Sequence, residues 1–329
     1  MRDISYVPQL TRRTSRLRDD GVTAWALRGE QYETPFRGLR RPAGISIDQP
    51  ATRIADALGL MTDGCVLTGW ASRWLQGQAY CDGERYGKDL PVTFLCGPGA
   101  RLRRQPGTRP RERRWVPGEV VDLDDVVVAT IARAAYDDML DAPNRIEALV
   151  AVEMATSTII EQARTAAGNV RAVFDAHVKT RGRVQARWAL AHLSTRSASP
   201  WETRTRVLAT ETLGIETWHV NVPVFDQREK LLGIPDLLDP DSGLVIESDG
   251  GDHRDIGVHN ADNVREEALE NHGSAVVRIG SAQLSRSERP ETRQRLRLGF
   301  ERAHSMGRQT WTTEKPAWWR TWPPGRRWD

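Results

Sequence analysis

Apolar residues recur at three- and four-residue spacing through "VVVATIARAAYDDML", "APNRIEALVAVEMA" and "GRVQARWALAHL" (residues 126–193), the period of helices that turn one face to a core. Asp124 or Asp125 stands where the first of them would be capped. Ahead of this stretch the pattern is mixed. "TRIADALGLM" and "CVLTGWASRWLQG" suggest two short helices, the second with Trp70, Trp74 and Leu75 at core-like spacing, and "LPVTFLC" (90–96) alternates as a strand. Beyond it, "STRSASP" (194–200) is a linker of small residues, and the period changes. "PWETRTRVLATETLG" predicts a helix near 200–213 closed by Gly214. "ETWHVNVPV", "LLGIPDLLD", "GLVIES" and "SAVVRIG" predict strands near 217–224, 231–238, 244–249 and 275–279. The third is apolar through its middle, as a strand covered on both faces would be. "VHNADNVREEALENHG" predicts a helix near 258–272, and a last helix follows in "RSERPETRQRLRLGFERAHS". The order of this final third is α-β-β-β-α-β, then α.

These changes of pattern divide the chain into a small mixed α+β region (1–118), a helical connector (119–196), an α/β domain with a central mixed sheet (197–305) and a Trp/Arg-rich tail (306–329). No apolar run is long enough to cross a bilayer, and "MRDISYVPQL" lacks the apolar core of a signal peptide. Cys65, Cys81 and Cys96 form no C-x-x-C. A reduced, cytoplasmic protein without a cysteine zinc site is the expectation. The net charge is only +3, yet 43 of the 47 basic residues are Arg, and seven of those fall in "RLRRQPGTRPRERR" (101–114). Such a run is either a solvated loop or a phosphate-contacting one, with Arg101, Arg103, Arg104, Arg111, Arg113 and Arg114 as the candidate nucleic-acid contacts.

Carboxylates gather where the third strand stops, in "LVIESDGGDHRD" (244–255). Side chains at i and i+2 of a strand share a face, so Glu247 and Asp249 point the same way. Asp236 closes the preceding strand, and if the two strands pair, three acids meet at one end of the sheet. Glu202, early in the preceding helix, can lean over the same place. Packed carboxylates raise one another's pKa or recruit a cation, and an all-oxygen set suits Mg²⁺ or Mn²⁺. Such an ion activates water and stabilises charge on a phosphodiester. Gly250 and Gly251 leave room for a nucleic-acid backbone, and His253 is placed to act as general acid or base. An E-x-D at a strand end is common, and a lone histidine is more often a surface residue. The set, in this order, carries the weight.

On these residues, from "SPWETRTR" through "GIPDLLDPDSGLVIESDGGDH" to "NADNVREEALENHGSAVVRIG", the chain resembles the PD-(D/E)XK nuclease superfamily, in the branch related to very-short-patch-repair endonucleases. The resemblance covers roughly residues 197–282. It implies a restriction-endonuclease-like fold, metal ligands at Asp236 and Glu247, and catalytic roles for Asp249, His253 and Glu202 beside them. Asp262 and Arg265 match a D-x-x-R element and Arg278 the strand-borne arginine, which implies positioning roles. More widely, "FRGLRRPAG" and "CVLTGWASRWLQG" are similar to actinobacterial proteins that join such a domain to an abortive-infection antitoxin-like region. That architecture implies DNA, and a toxin or another defence protein, as partners; a homodimer is open.

Two departures matter. Residues 1–35 show no pair of helices with a tight turn, whereas those proteins open with a winged helix-turn-helix. The superfamily's Lys two residues after the Glu is here Asp249, as in the narrower branch, and Lys230, Arg265 or His253 are the candidate replacement cations. The expectation is a Mg²⁺-dependent DNA endonuclease acting in phage defence, restriction or repair. The alternative is an antitoxin-like DNA-binding regulator on an inactive nuclease fold. The tail "WTTEKPAWWRTWPPGRRWD" interleaves Trp with Arg and Lys. Stacking on single strands is one use of that pattern, but packing back on the protein's own surface is the expected one.

Overall fold

The computed structural model describes residues 6–45, 49–123, 126–249 and 266–321, and the chain forms two compact units. The first comprises residues 1–155 and 162–191, the second 156–161 and 192–329. Each is a mixture of helices and sheets. Among the described residues no helix is long and apolar enough to cross a membrane.

The first unit is built on five strands: β1 (Cys65–Thr68), β2 (Val92–Cys96), β3 (Thr108–Glu112), β4 (Val120–Leu123) and β5 (Val126–Ala129). They lie in the order β3-β2-β1-β5-β4, with β2/β3 and β1/β5 parallel and the other pairs antiparallel. "CVLT" is therefore a strand, not the start of the predicted helix. Its four residues are all buried, and only from Gly69 does the chain turn into α2 (Gly69–Leu75). A short run of apolar residues does not tell a buried strand from a buried helix. Helix α1 (Pro50–Leu58) begins with Pro at its first turn and buries Ala51, Ile54, Ala55 and Ala57 against Leu67, Phe94 and Val128. Val120–Leu123 and Val126–Ala129 pair as antiparallel strands rather than forming helix. The helices that follow, α3 (Ile131–Asp141), α4 (Arg145–Thr156), α5 (Ala167–Ala176) and α6 (Arg183–Ala191), belong almost entirely to this unit, which makes the predicted connector part of the first unit's core. The cap of α3 is Thr130, whose side chain accepts from the N–H of Arg133; Asp124 and Asp125 lie outside the described residues.

In the second unit α7 (Pro200–Leu213) matches its sequence pattern at both ends. Ser199 caps it by accepting from Glu202 N–H at 3.2 Å, and Gly214 ends it at φ 74°. The two predicted strands after it are each cut in two: β6 (His219–Val220) and β7 (Val224–Asp226), then β8 (Leu231–Gly233) and β9 (Leu237–Leu238). Asn221 at φ 50° breaks the first, and Pro235, which has no N–H for a ladder, lies in the break of the second. The pieces enter different sheets. One is β6-β9-β10-β11, with β10 (Leu244–Asp249) and β11 (Ala275–Gly280) parallel; the other is β8-β7-β12, with β12 at Trp311–Thr312.

Strand β10 is covered on both faces. Leu244 and Ile246 pack with Leu237, Val277 and Ile279 beneath α7 and the helix α9 (Arg289–Ser305). Val245 packs with Leu238, Val276 and Leu269, the last on α8 (266–271). The described part of the tail folds back on its own unit. Trp319 is fully buried, both Trp318 and Trp319 meet Phe225 edge-on, and Trp318 Nε1 donates to Glu229 O at 3.2 Å.

Candidate functional site

The antiparallel register Leu237↔Ile246 and Leu238↔Val245 sets Asp236, one residue before β9, opposite Glu247. Across the parallel pair, Glu247 stands beside Arg278. Strand alternation puts Asp236 on the side of Leu238, Glu247 on that of Val245 and Arg278 on that of Val276, and those three apolar residues share one core cluster. A row Asp236–Glu247–Arg278 thus crosses three neighbouring strands on one face, at the end of the sheet where β10 emerges from the core. Glu247 is half-buried and Asp249, two residues on, is exposed.

Asp236 and Arg278 are each held by a partner. Asp236 Oδ2 accepts from the N–H of Ser248 at 2.7 Å, a side chain standing in where the β9 ladder stops. Arg278 forms an ion pair with Glu266 on α8 at 2.7 Å. Ser248 belongs to the opposite face, where its hydroxyl lies 2.9 Å from Thr205 Oγ1 on α7.

Glu202 is buried, and its Oε2 accepts from Ala198 N–H at 2.8 Å and from Asn221 Nδ2 at 2.7 Å. Asn221 Nδ2 also donates to Arg196 O, and Arg196 returns two bonds to the carbonyls of Val220 and Asn221. Glu202 therefore ties the start of α7 to the left-handed break after β6. The partner Asn221 was not singled out by the sequence, and no spacing rule points to it. Lys230 sits in the turn between β7 and β8, its backbone N–H donating to Asp226 Oδ1 at 2.8 Å, in the other sheet from the acid row. His253, Asp262 and Arg265, with Gly250 and Gly251, lie outside the described residues. Among the described residues no group of three or more His, Cys, Asp or Glu comes close enough together to hold a metal.

The six arginines of 101–114 divide. Arg101, Arg103, Arg104 and Arg114 are exposed. From Thr108 the segment is strand β3 rather than loop, and Arg111 and Arg113 have carboxylate partners. Arg111 Nε is 3.0 Å from Asp141 Oδ2, while Arg113 reaches Asp141 Oδ1 at 2.6 Å and Asp137 Oδ1 at 3.1 Å. Residues two apart on a strand and four apart on a helix advance by similar distances along one face, so the alternating arginines match Asp137 and Asp141. Burial raises the Asp141 carboxyl, but Arg113 and Arg111 outweigh it and hold the group below its ordinary value.

No protein-family model, curated protein or solved structure matches the chain.

Proposed function

We propose that the chain is a divalent-metal-dependent DNA endonuclease of the PD-(D/E)XK type, with its reaction centre at the end of β9 and β10. The observation that supports this most is the register: Asp236 opposite Glu247, on one face, with Arg278 next in line. Two acids brought face to face at a sheet end repel unless a cation joins them, and their oxygens are the donors a hard ion prefers. Asp236 keeps one carboxylate oxygen on the N–H of Ser248, which fixes how it presents the other. A Mg²⁺ or Mn²⁺ ion held by Asp236 and Glu247 would supply charge stabilisation at the scissile phosphate and an activated water. Asp249, exposed on the same face, orients water or adds a third acid. His253 is the candidate acid/base. Arg278, beside Glu247, is better placed than Lys230 to take over the cationic role that the superfamily gives to lysine.

A DNA-binding regulator on the same fold is the second reading. It draws on Asp249 standing where the lysine would be, and on Arg278 being already paired with Glu266. Incubating the pure chain with supercoiled plasmid, with and without Mg²⁺ or Mn²⁺, separates the two. Nicking or linearisation that needs the metal is expected. Retarded plasmid that stays intact under every metal favours the regulator.

A further inference from the structure

The first unit holds a cleft of about 720 Å³ between the end of β3 and the turn that follows α5, lined by residues 110–114, Arg133 and residues 176–181. Its cations are Arg111, Arg113, Arg114, Arg133, Lys179 and Arg181, with His177 among them, and Glu112 is the lining acid. Asp137, Asp141 and Glu119 stand behind as partners of the floor arginines. Six cations therefore exceed four carboxylates by two.

The floor is rigid. Arg133, 1% exposed, reaches Glu119 Oε2 at 2.6 Å, Asp137 Oδ2 at 3.0 Å and the carbonyl of Arg114 at 2.9 Å. His177 Nε2 donates to Glu119 Oε1 at 2.8 Å, and its ring stacks on Tyr136 at 5.9 Å between centroids. The turn carrying Lys179 and Arg181 is pinned as well. Tyr136 Oη and Thr180 Oγ1 both donate to His177 O, at 3.3 and 3.2 Å. Gly182, at φ +91°, lets the backbone lie against Leu140, where a Cβ would come within 2.4 Å of the carbonyl oxygen. The rim differs from the floor: Arg114, Lys179 and Arg181 are exposed and form no ion pair among the described residues.

A fold that holds three exposed cations around a cleft, over a floor of paired arginines, presents positive charge that Glu112 offsets only in part and that no ion pair among the described residues answers. We infer that this cleft binds a phosphodiester backbone, and that Arg114, Lys179 and Arg181 are its phosphate contacts. A cleft of this volume, rimmed by three cations from two segments of the chain, suits an extended polyanion better than one small anion. Val178, exposed beside Lys179, offers an apolar contact to sugar or base. The inference extends the DNA reading to the first unit, and it does not depend on the metal site.

The test uses the full-length chain and fluorescence anisotropy with a labelled single-stranded oligonucleotide and the matching duplex, across a salt series. Each rim contact should contribute about 0.7–0.9 to the slope of log affinity against log salt. Arg114→Ser/Lys179→Ser/Arg181→Ser should lower affinity at least tenfold at low salt and flatten the slope by about two, with an unchanged melting temperature. Arg114→Lys/Arg181→Lys, which keeps the charge, should retain the slope. Wild-type affinity and slope in the triple Ser variant would overturn the inference, as would wild-type chain that binds neither probe. Metal-dependent cleavage by the triple Ser variant at saturating DNA should persist, so that loss of cleavage and loss of cleft binding are read separately.

Discussion

Asp137, Asp138 and Asp141 lie along α3 in the first unit, and each meets an arginine: Arg133 and Arg113, Arg73, and Arg111 with Arg113. In the second unit the register sets Asp236 opposite Glu247 at a sheet end, and Arg278, next in line, forms its ion pair with Glu266. The same residue type thus serves two ends. Buried pairs with complete hydrogen bonding fix the packing of a strand on a helix, and breaking one leaves a charge that neither water nor protein answers. Under the proposed function, the acids set opposite each other at a strand end serve a cation more than the fold. The difference predicts where substitutions change stability and where they change chemistry.

The largest stability effect should come from Arg133→Ala. It removes the cation that Glu119 and Asp137 share, leaving Glu119 to His177 and Asp137 to Arg113 and Thr68, and should cost about 3–5 kcal/mol, measured by urea unfolding. A cost below about 1 kcal/mol would mean that the network is not what holds α3 to β3. Next comes acid. Pairing depresses the Asp141 carboxyl, so the stability it contributes is complete above its unfolded pKa of about 4 and is lost as pH falls through the lower folded value. Asp138 runs the other way. Burial outweighs Arg73 and raises its carboxyl, so its contribution favours the folded state at low pH and fades as pH rises. Asp141→Asn should therefore remove part of the acid destabilisation below about pH 4, and Asp138→Asn should steepen it. Identical acid limbs in both variants would break the assignment. The smallest stability effects should be those of Asp236→Asn and Glu247→Gln, within about 0.5 kcal/mol of wild type or slightly stabilising. An asparagine at 236 still offers an oxygen to the N–H of Ser248.

How much of this was legible depends on whether the signal is local. Helix Pro200–Leu213 and strand Leu244–Asp249 fall where periodicity, a serine cap and a terminal glycine put them. The strands beside Asp236 and Glu247 pair as neighbours, as their hairpin-like order leaves little choice of register. The strands near 217–224 and 231–238 were too long, since a left-handed Asn221 has no reliable sequence signature. "CVLT" and the strand pair Val120–Leu123 and Val126–Ala129 differ from the predicted helices because short apolar runs carry no period. The ladder of Arg109, Arg111 and Arg113 on Asp137 and Asp141 was written in the spacing, two on the strand against four on the helix. Reading it required knowing that β3 packs on α3, and that is tertiary. The cleft was illegible for the same reason: Lys179 and Arg181 reach Arg114 only through the fold.

The central claim is that Asp236 and Glu247 carry metal-dependent cleavage of DNA. Single-turnover cleavage and binding of one labelled duplex, measured side by side for wild type and Glu247→Gln in Mg²⁺ and in EDTA, test it most directly. Wild type should cut only with Mg²⁺. Glu247→Gln should lose cleavage by at least a hundredfold while binding as tightly or slightly more tightly, because a negative charge facing phosphate has gone. Cleavage that survives Glu247→Gln, or wild-type protein that binds the duplex and never cuts it with any divalent ion, would contradict the account.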